Sequence, residues 1–300
     1  MPEIRKSREL GFCSGVKKAI RAVEKLSTGT GGPVWTIGPL VHNPGVVASL
    51  ERKGISPVGS VQDLHGRRGQ AVIPAHGMAL AQVEAVTGSG LPLHDSTCPI
   101  VGNLQQKVKK LSREGYAIVI FGEQEHPEVK GALGWVEDEA LPAIATTRAS
   151  DMNKLAGKRR RLALLSQTTQ TVSSYTRFCR DVLKTCLPGM LEIKILNTIC
   201  PEVKRRQSAT RELARTSDLM IIVGGKGSSN TRRLAEISQD AGAQVFQVEE
   251  AGEIQPEWLR DRKCIGIAAG TSTPIESVEK VEMKLRELVS AENALRHVAD

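Results

Sequence analysis

Three cysteines in this chain share a local context that could hold a metal centre. Each is separated from a valine by two residues: Cys13-Ser-Gly-Val16, Cys98-Pro-Ile-Val101 and Cys200-Pro-Glu-Val203. Each precedes a helical pattern, over Lys17–Leu26, Leu104–Leu111 and Lys204–Leu213. A thiolate at a helix start is stabilised by unpaired N–H groups and the helix dipole. Three such starts converging on one centre could hold a [4Fe–4S] cube and leave its fourth iron without a protein ligand. An open iron can act as a Lewis acid and pass electrons to a bound oxygen. Two other readings stay open at this point: buried thiols that only pack, and zinc. The sequence has no C-x-x-C pair or tight Cys/His knuckle of the usual structural zinc kind. Cys179, Cys186 and Cys264 lack the shared context and read as core or surface thiols.

A second set of residues could grip an anion. Gly224-Gly-Lys-Gly-Ser228-Ser229-Asn230-Thr231 follows the apolar run Leu219–Val223 and precedes a helical pattern over Arg232–Ser238. Glycines there let backbone N–H groups turn toward one point, and hydroxyls add donors. It is neither a Walker loop nor a dinucleotide fingerprint, and a plain strand–helix turn is the bland alternative. Gly270-Thr-Ser272-Thr273-Pro274-Ile-Glu276 is a similar junction. Its spacing predicts Thr273 as N-cap, Pro274 as N1 and Glu276 as N3, with Ser272 just outside. His42, His76 and His126 stand in turn-like settings after strands, where imidazole can donate to phosphate and move protons. His65, His94 and His297 carry no such signal. Glu128, two residues after His126, could deliver a proton if burial raised its pKa. Ser166-Gln-Thr168-Thr169 ends another apolar run and offers hydroxyls.

The elements that must position these residues are short apolar runs alternating with helical patterns. Strands are expected at Val34–Ile37, Ala71–Ala75, Ile118–Phe121, Leu162–Leu165, Leu219–Val223, Val245–Val248 and Ile265–Ala268. That order argues for α/β architecture with mostly parallel sheets. The repeated cysteine context, spaced by 85 and 102 residues, suggests three related units.

Composition narrows the function class. The 300 residues are 40% hydrophobic and 25% charged, as in ordinary globular proteins. No apolar run reaches membrane-span length, and the opening MPEIRKSREL lacks the apolar core of a secretory signal, so a cytoplasmic protein is expected. Six cysteines in such a chain suggest free, metal-bound or catalytic thiols rather than disulfides. The formal charge of +8 suits an anionic partner. The densest basic run, Lys158–Arg161, reads as a solvated turn, its rival being an RNA-binding patch. With only 3% aromatic residues there is little material for base stacking, and no nucleic-acid partner is expected.

Taken together, nine segments in order resemble the 4-hydroxy-3-methylbut-2-enyl diphosphate reductase family of the non-mevalonate isoprenoid pathway. They are Gly11-Phe-Cys13-Ser-Gly-Val, Val41-His42-Asn43, Ala75-His76-Gly77, Thr97-Cys98-Pro99, His126-Pro-Glu128-Val, Gln167-Thr168-Thr169, Thr198-Ile-Cys200, Ser228-Ser229-Asn230 and Gly270-Thr-Ser272. The resemblance implies a trefoil of three similar α/β domains around a central iron–sulfur cluster, spanning 14–97, 98–199 and 200–300 plus 1–13. It implies one [4Fe–4S] cluster per chain on Cys13, Cys98 and Cys200. His42, His76, His126, Ser228, Ser229, Asn230 and Ser272 would bind the diphosphate. Glu128, with His126, would serve proton delivery, and Thr168 would help place the substrate hydroxyl. The implied reaction is reductive dehydroxylation to isopentenyl and dimethylallyl diphosphate, with electrons from a ferredoxin or flavodoxin. A monomer or weak dimer is expected. Val203 stands where the family usually has threonine, and Gly102-Asn103 where it often has Thr-Lys. The alternative is a divergent iron–sulfur paralogue with another substrate or only electron transfer.

Overall fold

A computed structural model describes residues 2–30, 32–138, 140–155 and 160–299. Lys158 and Arg159 of the basic run, and the side chain of His297, lie outside what it describes. In chain order come β1 (Glu3–Lys6), α1 (Ser14–Thr30), β2 (Val34–Ile37), α2 (Pro44–Glu51), β3 (Ile55–Val58), β4 (Gln70–Ile73), α3 (Leu80–Gly88) and β5 (Leu93–Asp95). Then follow α4 (Pro99–Arg113), β6 (Ala117–Phe121), α5 (Pro127–Leu133), β7 (Ala143–Thr146), β8 (Arg161–Ser166), α6 (Val172–Cys186) and β9 (Glu192–Ile195). The chain continues through α7 (Pro201–Ala214), β10 (Leu219–Val223), α8 (Ser229–Asp240), β11 (Gln244–Val248), β12 (Cys264–Ala269) and α9 (Ile275–Ala299).

The strands form three four-stranded parallel sheets, ordered β3-β2-β4-β5, β7-β6-β8-β9 and β11-β10-β12-β1. One pattern serves all three. The first strand of each unit lies inside, the second goes to one side, and the third and fourth to the other. In the last sheet the fourth strand is the chain's own N-terminus, with Ile4 opposite Ile265. The fold is therefore α/β with parallel sheets, as the sequence pattern predicts.

Two compact units emerge. One comprises Met1–Ser14, His42–Val46 and Pro201–Asp300, and the other Gly15–Val41 and Val47–Cys200. Within the first, Leu219, Ile221, Ile265 and Ile267 pack on Val278, Val281 and Leu285 of α9, while Met220, Ile222 and Ala268 pack on Leu234 of α8 and Ala214 of α7. The second unit repeats the scheme around β6 and β8. Val119 and Leu164 face Phe178 and Val182 of α6, and Ile120 and Leu165 face Leu104 and Val108 of α4. Strands covered on both faces must be apolar throughout, which is why these read as continuous hydrophobic runs. Emptying such a position, as in Leu164→Ala, costs about 2–5 kcal/mol.

Each of the three repeated cysteines immediately precedes a helix: Ser14 opens α1, Pro99 opens α4 and Pro201 opens α7. Proline suits a first helical position, where its missing N–H is not needed. Cys179 and Cys186 lie on α6, and Cys264 opens β12. Helix α9 departs from expectation. It opens at Ile275, and the Thr273 hydroxyl donates to Val223 O at 3.0 Å instead of capping the helix. The same carbonyl also accepts Gly270 N–H at 2.9 Å, so both donors tie this loop to the end of β10. Among the described residues, no helix is long and apolar enough to cross a membrane.

Candidate active site

Parallel strands place their functional loops at their carboxyl ends. In the second unit these ends carry His76 after β4, His126 and Glu128 after β6, Thr168 after β8 and Cys200 after β9. Glu128 lies in the first turn of α5 and is only 3% exposed. Thr168 N–H donates to its Oε1 and Thr168 Oγ1 to its Oε2, both at 2.7 Å. Each carboxyl oxygen has a further lone pair available for a proton. Burial pushes the Glu128 carboxyl up, against the downward pull of the two Thr168 bonds. It therefore holds a proton to higher pH than an exposed glutamate.

The cysteines of this unit are tied to the same groups. Cys200 N–H donates to Thr168 O at 3.0 Å, so the acid's partner also fixes a candidate ligand. Cys98 N–H donates to Ala75 O at 2.9 Å, beside His76. The Cys98 thiol is half-buried at the start of α4. Burial pushes it up, the Ile100 and Val101 N–H groups pull it down, and negative charge on an ionised Cys200 pushes it up again. A cation or cluster would relieve that last repulsion.

Two histidines have their tautomers set by the backbone. Glu128 N–H donates to His126 Nδ1 at 3.2 Å, so a neutral His126 carries its proton on Nε2. His76 Nδ1 lies 3.0 Å from Gly77 O, which can only accept. His76 therefore donates through Nε2 only as imidazolium. Its loop is pinned by Gln105 Nε2 and Trp135 Nε1, which both donate to Met78 O, at 3.2 and 2.8 Å. Gly77 has φ +73° and a Cβ there would meet Gln105 Nε2 at 2.4 Å, so only glycine turns this corner.

The first unit builds a different kind of site. Ser228 caps α8, its Oγ accepting Thr231 N–H at 3.3 Å, and Ser228, Ser229 and Asn230 are all buried. Asn230 is 2% exposed, yet neither Nδ2 nor Oδ1 has a hydrogen-bond partner among the described residues. Ser272 Oγ donates to His42 O at 3.4 Å, and Cys13 N–H donates to Thr271 O at 3.0 Å. A Cβ on Gly225 would meet His42 O at 2.6 Å, so this glycine lets the two loops touch. Burial pushes the His42 imidazole down, leaving it neutral near pH 7. A buried amide with an unmet Nδ2 donor, at a helix start beside serine hydroxyls, is suited to an anionic ligand with several oxygens.

Among the described residues, no three His, Cys, Asp or Glu side chains gather as a single ion would require. An iron–sulfur cube takes each thiolate on a different iron, so its ligands stand apart, and accessible thiols at helix starts have the chemistry for it. Sequence reasoning missed Glu202 and Arg206 of α7. Arg206 was detectable, because Val203, Arg206, Gln207 and Thr210 form the buried stripe of that helix and a charge within it needs partners.

Residues 4–286 match the family model described as LytB protein. The 4-hydroxy-3-methylbut-2-enyl diphosphate reductase of Aquifex aeolicus is 37% identical over 288 residues, covering 96% of this chain and 97% of that protein. The enzyme of the same name from Dehalococcoides mccartyi strain CBDB1 is 36% identical over 272 residues, covering 91% and 93%. A solved structure of (E)-4-hydroxy-3-methyl-but-2-enyl diphosphate reductase, the terminal enzyme of the non-mevalonate pathway, superposes with a TM-score of 0.68 at 36% identity, covering 96% of this chain and all of that one. The reductase structure from Plasmodium falciparum, at 24% identity and a TM-score of 0.84, shares the fold; it covers 93% of this chain and 86% of that one.

Proposed function

This chain belongs to the LytB family of reductases, and from that premise we propose that it reductively dehydroxylates 4-hydroxy-3-methylbut-2-enyl diphosphate to isopentenyl and dimethylallyl diphosphate. The observation that carries the proposal is the buried Glu128 carboxyl, held through both oxygens by Thr168. Loss of an allylic hydroxyl needs a proton to make water the leaving group. A carboxyl kept protonated by burial supplies it.

Cys13, Cys98 and Cys200 would hold one [4Fe–4S] cluster per chain. When bound, that group would relay two electrons, one at a time, from the external donor and would offer a Lewis-acidic iron. The remaining work falls to the protein. Thr168 orients Glu128 through both carboxyl oxygens and places its own hydroxyl beside the acid. His126, proton on Nε2, and His76, as imidazolium, would donate to diphosphate oxygens. Ser228, Ser229, Asn230, Ser272 and His42 would bind the same group, fixing the reacting carbon through remote contacts. Domains at 14–97, 98–199 and 200–300 plus 1–13, a ferredoxin or flavodoxin donor, a cytoplasmic location and a monomeric or weakly dimeric state complete the proposal.

The test is anaerobic. The purified, iron-replete protein is reduced with a viologen dye and given the diphosphate. Dye oxidation with C5 diphosphate products is expected. An intact cluster with no turnover would overturn the substrate assignment.

A further inference from the structure

Helix α7 starts directly after Cys200 and grips the chain on both sides of Cys13. Glu202, in its first turn, accepts from Ser14 twice: the N–H donates to Oε2 at 3.0 Å and the hydroxyl to Oε1. One turn further along the same face, the buried Arg206 guanidinium donates through Nη2 to Gly11 O at 2.7 Å. Its Nη1 donates to Ala269 O at 2.8 Å and Gly270 O at 3.1 Å. So the residue after Cys13 and the residue two before it are held by side chains four apart on one helix. The same guanidinium holds the two residues that lead into Thr271, whose carbonyl accepts the Cys13 N–H at 3.0 Å, and Ser272.

We propose that Glu202 and Arg206 are positioning residues that set the Cys13 sulfur and tie it to the Ser272 loop. The assignment rests on Cys13 being a cluster ligand. Geometry explains the residue types. The first N–H groups of α1 have no intrahelical acceptor, and the Glu202 carboxylate supplies one at the positive end of the helix. Three carbonyls from two segments suit the planar, multi-donor guanidinium, whereas a lysine ammonium cannot span them in one plane. Gly11, at φ +74°, gives the turn that aims its carbonyl at Arg206.

The test reads thiol reactivity rather than turnover. The full chain is alkylated anaerobically and the modification rate of each cysteine is mapped, before and after reconstitution with iron and sulfide. Glu202→Ala, and Arg206→Lys which keeps the charge, are each expected to raise the Cys13 rate before reconstitution about tenfold, the worth of one charge-assisted hydrogen bond. Cys98 and the buried Cys179 should keep their rates. An unchanged Cys13 rate in Glu202→Ala overturns the proposal, whatever Arg206→Lys does. A parallel rise at Cys179 overturns it too, because that reports general loosening. The ligand assignment fails separately: it falls if reconstitution leaves Cys13 of the unaltered chain unprotected.

Discussion

The carboxylate network of the second unit and the serine–asparagine loop of the first solve opposite problems. Around Glu128 the polar atoms find partners within the protein, since Thr168 satisfies both carboxyl oxygens and Cys200 N–H uses the Thr168 carbonyl. Around Asn230 they do not, because both amide atoms are buried and unmet among the described residues. The first is complete before substrate arrives, as an acid must be if its proton is to be held and aimed. Under the proposed function the second would be completed by the diphosphate, whose oxygens would meet the free Asn230 amide donor. A preorganised acid and an unfinished anion cradle should answer differently to the same kind of mutation.

The largest expected effect is at the acid. Glu128→Gln should lower kcat by roughly 10²–10⁴-fold, the usual worth of a positioned proton donor. Iron content should be unchanged, and its loss would show that the carboxyl is structural. Asn230→Ala should lower kcat/KM by roughly 10–100-fold, as expected for one or two hydrogen bonds to a charged group. The two changes should separate in stability. Asn230→Leu removes buried unmet groups and should stabilise the ligand-free protein by about 1–3 kcal/mol. Thr168→Val removes the hydroxyl donor to Glu128 Oε2, leaving only the backbone N–H, and should destabilise the protein by a similar amount. Matched denaturant titrations check both. Equal signs would dissolve the contrast.

Titration sharpens the comparison further. Because burial raises the Glu128 pKa, the acid is active below that value, and kcat should fall as pH rises through it. Glu128→Gln should flatten this limb of the profile. At the cradle the sign is opposite. Burial lowers the His42 pKa, so the free imidazole is neutral at pH 7, and a diphosphate beside it pulls the pKa back up. Binding should take up protons, seen calorimetrically as an enthalpy that changes with buffer ionisation heat. The smallest expected effect is at Cys264→Ser, where iron content and turnover should stay unchanged.

The central strands were all legible in the sequence, and of the edge strands only β11 was, through the run Val245–Val248. The interior strands β2, β4, β6, β8, β10 and β12 each showed as an apolar run, because both faces of each are covered. The missed strands β1, β3, β5, β7 and β9 are all at sheet edges. They are half-exposed, mixed in polarity and, in β3, interrupted by Pro57. The cysteine, histidine and serine positions could be read because strand ends and helix starts leave local marks. The cause of the Glu128 shift could not, since burial and the Thr168 bonds join residues 40 positions apart. Arg206 is the middle case: its spacing betrayed burial, while its acceptors lie on two distant segments.

The pairing of β1 with β12 has a consequence for the order of events during synthesis. Strand β1 aligns Glu3 with Cys264, so its partner is synthesised long after it. Segments usually fold as they emerge, N-terminal first. Strand β1 must instead wait, unpaired, until β12 has been translated. Cys13 waits with it, since its N–H is held by Thr271, two residues beyond β12. If Cys13 holds a cluster as proposed, loading that needs this thiol in place would follow synthesis of the Thr271 segment.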